Sequence, residues 1–270
     1  MRQPNIVYIH THDAGRVCSP YGYKADTPNM QRLAEEALLF RNAFCAAPTC
    51  SPSRAALLSG SSPHNTGMLG LAHRGFSMDP SMHIAGLLRE HGYETVLSGI
   101  QHVVPDRERL PYNTYLGNTE VEMGGLVASD WAAYDLANAS AVADYITNDL
   151  EGPTFLSFGM FNPHRPFPDH GPGHYTKPPG PLPDNARTRR DYAAFLNALT
   201  VADQAVGRVL DALRASGKES ETVVILTTDH GVPFPQMKCN LTDHGMGVAL
   251  IVRAPGYTKR GTVSYSLVSH

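Results

Sequence analysis

The strongest constraint in this chain is that its apolar runs end in acids and histidines. Residues 5–9 (NIVYI) read as a buried strand that stops at His10-Thr11-His12-Asp13. Residues 155–161 read as another and run into Asn162-Pro163-His164. Residues 222–226 (TVVIL) form a fully apolar strand that ends in Thr227-Thr228-Asp229-His230-Gly231. Near-continuous apolar strands suit a sheet buried on both faces, the usual setting of parallel strands. Ligands of such sheets bind outside the carboxyl ends of the strands. Three separate strands would therefore bring acids and histidines to one edge.

Helical patterns fall between these strands. Thr27 then Pro28 is an N-cap followed by Pro at the first helical position, opening a helix to about Ala37. Residues 38–44, 93–97 and 248–252 read as further strands, and 82–91 as a short helix closed by Gly92. Tyr192, Phe195, Leu196, Leu199, Val206, Val209, Leu210 and Leu213 recur at helical spacing before a stop at Gly217. The Pro- and Gly-rich stretch 163–183 is expected to be a long ordered loop. The pattern predicts an α/β fold with a mostly parallel central sheet and helices on both faces.

Composition removes several alternatives. Hydrophobic residues make up 42% of the 270, enough for a large core and too many for a disordered chain. Lys plus Arg is 22 against 25 Asp plus Glu, so no basic face for nucleic acid is expected. No apolar run is long enough for a membrane helix, and the start shows no signal-peptide pattern. The expectation is a soluble, cytoplasmic protein without nucleic-acid or membrane partners. The four Cys (18, 45, 50 and 239) show no CxxC spacing and no disulfide framework.

The most specific stretch is Cys50-Ser51-Pro52-Ser53-Arg54, running on through Ala55-Ala56-Leu57-Leu58-Ser59 to Gly60. It reads as a turn feeding a short helix with Cys50 near its start. A helix N-terminus favours negative charge. Arg54, one turn later, is a rigid donor for an oxyanion. Taken alone, Cys50 would read as a small buried residue beside a helix start.

With these residues the chain resembles the sulfatase family, whose signature is C-x-P-S-R followed by a short apolar helix and Gly. Phe40-Arg41-Asn42-Ala43-Phe44 ahead of it, and Pro63-His64 with Gly67-Met68 after it, match as well. Asp229-His230-Gly231-Val232-Pro233-Phe234-Pro235 looks like a later segment of the family's sulfamidase branch. The resemblance runs along nearly the whole chain. It implies an alkaline-phosphatase-like fold and hydrolysis of sulfate esters or sulfamates, with sulfated amino sugars as the class to which that branch points.

The resemblance also implies a chemistry. Cys50 would be converted by a formylglycine-generating enzyme to formylglycine, whose hydrate attacks sulfur with one hydroxyl and expels sulfate with the other. A divalent metal, usually Ca²⁺, would be held by Asp13, Asp229, His230 and the group at position 50. His12 stands where the family has Asp. Two imidazoles would favour Mn²⁺, Zn²⁺ or Fe²⁺ over Ca²⁺, although His12 also reads as a strand cap or a hydrogen-bonding neighbour of the ligands. The family's second signature, G-Y-x-T-x-x-x-G-K-x-H, is matched from Gly92 to His102 with Ile100 replacing the Lys. By that match His102 is the base for elimination. His164, in Asn162-Pro163-His164-Arg165, is the acid that protonates the leaving group. Lys238 and Arg54 are the cations on the sulfate. His10, His64, His73 and His244 are expected nearer to structural roles.

Two other readings stay open from the sequence. One is a phosphonate monoester or phosphodiester hydrolase of the same superfamily. The other is an inactive chain that binds metal or sulfated sugar without turnover, motivated by Ile100. Family members are longer, so residues 1–270 are expected to be the catalytic N-terminal part without a smaller C-terminal subdomain, leaving an apolar face exposed. A family member would be starting a helix after Gly261.

Overall fold

The computed structural model describes residues 3–118 and 128–270. In chain order the elements are β1 (Asn5–Thr11), α1 (Pro28–Glu35), β2 (Leu38–Phe44), α2 (Cys50–Ser59), α3 (Pro63–Thr66), α4 (Ile84–Glu90), β3 (Glu94–Gly99) and β4 (Thr114–Leu116). They continue with α5 (Ala128–Asn148), β5 (Thr154–Gly159), α6 (Ala186–Ala215), β6 (Thr222–Thr228), α7 (Asp243–Met246), β7 (Leu250–Arg253) and β8 (Thr262–Ser269). The strands form one sheet in the order β4-β3-β5-β1-β6-β7-β2-β8. Every neighbouring pair is parallel except the two made by β7.

Alternation along each central strand explains how both faces are covered. Val7 and Ile9 of β1, Leu156 and Phe158 of β5, and Val224 and Leu226 of β6 join one core with α1, α5 and α6. Their sequence neighbours Tyr8, Phe155 and Ile225 point the other way, into a second core with α2 and α4. Each fully buried side chain of this size contributes roughly 1.5–3 kcal/mol, so a shift of register by one residue would exchange the two faces and lose both cores. The long helix α6 starts at a capping box. Asn185 Oδ1 accepts from the Arg187 and Thr188 amides at 3.0 and 3.1 Å, while Thr188 Oγ1 accepts from the Asn185 amide at 3.2 Å.

The parallel register places strand ends side by side. His10 lies beside Gly159, Thr11 beside Thr228, and Gly99 beside Gly159. Residues following β1, β3, β5 and β6 therefore emerge along one edge, as the sequence pattern predicts.

The structure adds to the sequence reading or departs from it in several elements. The strand expected at 248–252 lies at Leu250–Arg253 and runs antiparallel. Helix α5 and the short strand β4 have no counterpart in that reading. After Gly261 the chain forms β8 rather than the start of a helix. Alternating small polar and apolar residues (TVSYSLVS) fit an extended edge strand. Val263, Tyr265 and Leu267 are exposed along it. No described helix is long and apolar enough to cross a membrane.

Candidate active site

Two loops at the strand ends supply the acids. After β1, His12 and Asp13 are fully buried. Asp13 adopts φ 59°, a left-handed conformation that Asp tolerates better than most residues. After β6, Asp229 is fixed from several sides. Its Oδ1 accepts from the Asp13 and His230 amides, each at 2.9 Å. Its Oδ2 accepts from Arg54 Nε at 3.1 Å, and Arg54 Nη2 lies 3.0 Å from the same oxygen. Ser53 Oγ donates to the Asp229 carbonyl. Gly231 must follow, because a Cβ there would run into the His244 carbonyl.

Helix α2 delivers the third part. Cys50 is its first residue and is buried. Its Sγ lies 3.3 Å from His230 Nε2, and that nitrogen is 3.1 Å from Asp13 Oδ1 and 3.7 Å from Asp229 Oδ2. Arg54, one turn along, is 2% exposed and places Nη1 2.7 Å from His10 Nδ1. Burial, then Arg54, holds His10 well below its usual pKa, so its Nδ1 accepts that bond as a neutral imidazole.

Burial alone would raise the Asp13 carboxyl and lower the His230 imidazole. The opposite charges facing each other outweigh it. His12, His230 and Lys238 together carry Asp13 below the carboxylate range, and Asp229, Asp13 and Cys50 carry His230 well above its ordinary value. Lys238 donates to both Asp13 oxygens at 2.8 Å.

The remaining sequence-predicted residues converge on the same cluster. His164 Nε2 is 3.8 Å from Asp13 Oδ2, and its ring centroid is 4.4 Å from that of His12. Its Nδ1 donates to the Arg165 carbonyl at 2.6 Å, which fixes the tautomer. His102, at φ 62°, has its ring centroid 6.0 Å from that of His12. Burial, with Arg54 and His73 adding, lowers it to about 3. Its Nε2 is 3.2 Å from His73 Nδ1, and the two rings stack at 7°. Of the weaker candidates, His10 and His73 thus touch site residues, whereas His64 is exposed on α3.

One supporting residue had no sequence signal. Asp135, buried in α5, accepts from the Phe161 amide at 2.8 Å, the Asn162 amide at 2.8 Å and Asn162 Nδ2 at 2.7 Å. It ties down the chain just before His164. Burial raises it to about 7, against those three bonds. Ile100 packs in an apolar cluster with Trp131, Tyr134 and Phe161.

The donor set fits a divalent metal. Asp13, Cys50, Asp229 and His230 bring one ligand atom each within 4.8 Å of one another, as do His12, Asp13, Cys50 and His164. Among the described residues neither ring nitrogen of buried His12 has a hydrogen-bond partner, though Nε2 comes within 3.2 Å of Asp229 Oδ2. Lys238 already places a cation against Asp13. Mixed carboxylate and imidazole donors suit Mn²⁺, Zn²⁺ or Fe²⁺ better than an all-oxygen cation.

Known proteins resemble this chain along most of its length. The sulfatase family model matches residues 4–270. The N-sulphoglucosamine sulphohydrolase of Homo sapiens is 32% identical across 99% of this chain, which covers 59% of that relative. An ulvan-active sulfatase of Formosa agariphila is 28% identical across 97% of the chain, which covers 58% of it. The chain therefore spans less than two thirds of the length of these relatives. Among solved structures, the phosphonate monoester hydrolase of Agrobacterium radiobacter matches with a TM-score of 0.79 at 18% identity, over 99% of this chain and 71% of that one. The PsFucS1 sulfatase of Pseudoalteromonas sp. matches with a TM-score of 0.73 at 18% identity, over 99% and 65%. At that identity the likeness shows the fold, which is that of the alkaline-phosphatase-like sulfatases.

Proposed function

The chain belongs to the sulfatase family, and on that footing we propose that it hydrolyses sulfate esters or sulfamates on sulfated sugars, with a formylglycine made from Cys50. The observation that carries this reading is the position of Cys50. The first residue of α2 lies against His230 at 3.3 Å, inside a cluster of buried Asp13, Asp229, His12 and His230 with half-buried His164 at its side. The relatives, an N-sulphoglucosamine sulphohydrolase and ulvan-active sulfatases, support a sulfated sugar as the substrate class.

Asp13, Asp229, His230 and His12 would hold the divalent cation, which supplies Lewis acidity toward the sulfate oxygens. A formylglycine hydrate at position 50 supplies the nucleophilic hydroxyl that a thiol cannot. The chain's own groups do the rest. Lys238 and the Nη2 donor of Arg54 offer positive charge to the sulfate. Nη2 lies 3.0 Å from Asp229 Oδ2, so that carboxylate shares its charge with the sulfate. His10 and Asp229 keep the guanidinium from turning. His164 presents Nε2 to the cluster, with its Nδ1 proton committed to the Arg165 carbonyl. A proton can pass from Nε2 to the departing oxygen or nitrogen only from the imidazolium. His102 is neutral at neutral pH, and among the described residues its Nδ1 has no hydrogen-bond partner. By the family's second signature it is the group that would take a proton from position 50. A formylglycine-generating enzyme is the partner this chemistry requires.

The nitrogen donors His12 and His230 favour one second reading, a phosphodiester or phosphonate monoester hydrolase. Turnover of 4-nitrophenyl sulfate and bis(4-nitrophenyl) phosphate at equal concentration separates the two. Preference for the sulfate ester is expected. Preference for the phosphodiester would replace the proposed activity.

A further inference from the structure

Beside His164 the surface opens into a cleft of about 740 Å³ that the chemistry above does not use. Its lining includes Arg165, Phe167, Asp169, Arg187, Arg190 and Asp191. Arg165 is the fixed wall. It donates to both Asp191 oxygens at 2.8 and 2.6 Å and to the Pro233 carbonyl at 3.1 Å. Its guanidinium lies over Phe167 at 4.3 Å. Asp191 thus neutralises Arg165.

Arg187 and Arg190 are in a different state. Both are exposed in the first turns of α6, three residues apart and so on one side of the helix. Among the described residues, neither guanidinium has an ion pair or hydrogen bond. The one other acid in the lining, Asp169, accepts from the Gly171 amide at 3.1 Å and is in no ion pair. Once the Arg165–Asp191 pair cancels, the cleft keeps an excess of positive charge.

The position of the cleft says what the charge faces. His164 serves the atom that leaves with the sugar, so the sugar lies on the His164 side of the sulfate. The cleft starts at the next residue. Arg165, whose carbonyl accepts from His164 Nδ1, also forms the cleft wall, so a saccharide leaving the sulfate on the His164 side meets the cleft. We propose that Arg187 and Arg190 bind a second anionic group, a carboxylate or a sulfate, on the saccharide that carries the scissile sulfate. Two planar guanidinium groups suit such an oxyanion by paired hydrogen bonds. This inference rests on the proposed hydrolysis of sulfated sugars.

The test uses the full-length, metal-loaded protein and two substrates. One is 4-nitrophenyl sulfate, which carries no second anion. The other is a sulfated, uronic-acid-containing tetrasaccharide. Exchanging both arginines (R187A/R190A) should raise KM for the tetrasaccharide about tenfold, the loss of one modest charged contact, with kcat and aryl sulfate turnover unchanged. The variant K24A/R89A removes the same charge elsewhere and should leave both substrates unaffected. An unchanged tetrasaccharide KM in R187A/R190A, or an equal rise in K24A/R89A, overturns the proposal. If the unaltered protein hydrolyses neither substrate, the proposed activity has failed, and calorimetric binding of the tetrasaccharide still decides the cleft. Weaker binding by R187A/R190A supports it, and equal binding overturns it. Repeating the comparison with carboxyl-reduced and partly desulfated tetrasaccharide shows which anion the cleft reads.

Discussion

Lys238 Nζ lies 2.8 Å from both carboxylate oxygens of Asp13. One ammonium thus spans the carboxylate that the family likeness assigns to a metal. Charge balance in this buried cluster depends on a cation at that place, and Asp13 is the group that attracts it.

Asp13→Asn keeps the shape and the left-handed backbone, which Asn also tolerates, and removes the charge. Bound divalent metal should fall from about one equivalent per chain to near none, and turnover should drop by more than about 100-fold. Elemental analysis with kinetics of the purified variant checks this. Full metal retention would remove Asp13 from the site.

Ile100→Lys restores the residue that the family's second signature carries. Ile100 is 7% exposed and packs with Trp131, Tyr134 and Phe161. A charge inserted there has no acid partner among those neighbours, so the variant should lose on the order of 3 kcal/mol of stability and gain no activity. Denaturant unfolding and turnover measure both. A stable variant with raised turnover would show that this position reaches the substrate.

Asp135→Ala strips three acceptor contacts from the Phe161 amide and from Asn162. Leaving those donors buried should cost on the order of 3 kcal/mol. The loss of the tie before His164 should also lower kcat more than it raises KM. Unchanged kcat in a destabilised variant would confine Asp135 to stability.

His83 lies away from the site, and burial alone lowers it to about 4 from 6.5. The folded state holds it neutral, while the unfolded chain takes up a proton below 6.5. Its contribution is therefore complete above pH 6.5 and is lost as pH falls toward 4, at up to about 1.4 kcal/mol per pH unit. His83→Asn keeps an N-cap acceptor for the Ala85 amide, now held by His83 Nδ1. Its stability should fall less steeply with acid over that window. Parallel curves for the two proteins would contradict the assignment.

These residues also show how far the sequence could be read. The strands that end in His12-Asp13, His164 and Asp229-His230 were legible because parallel strands buried on both faces leave an apolar run with an abrupt polar end. The Cys50 segment was legible because its signature is dense. Asp135 was not, because a carboxylate in a helix reads as a solvated surface group until its partners, 26 and 27 residues away, are known. The structural surroundings of Ile100 were hidden for the same reason. The sequence marked a missing charge, and only packing revealed the aromatic cluster that takes its place. β8 was misread because an exposed edge strand carries little apolar signal, and the direction of β7 was hidden because an apolar run does not encode it.

The central claim is that position 50 acts as formylglycine. The direct measurement is mass spectrometry of the peptide containing position 50, from protein co-produced with a formylglycine-generating enzyme and assayed in parallel. The account predicts the aldehyde at position 50 and turnover that rises with its fraction. Active protein whose Cys50 is wholly unmodified would contradict it.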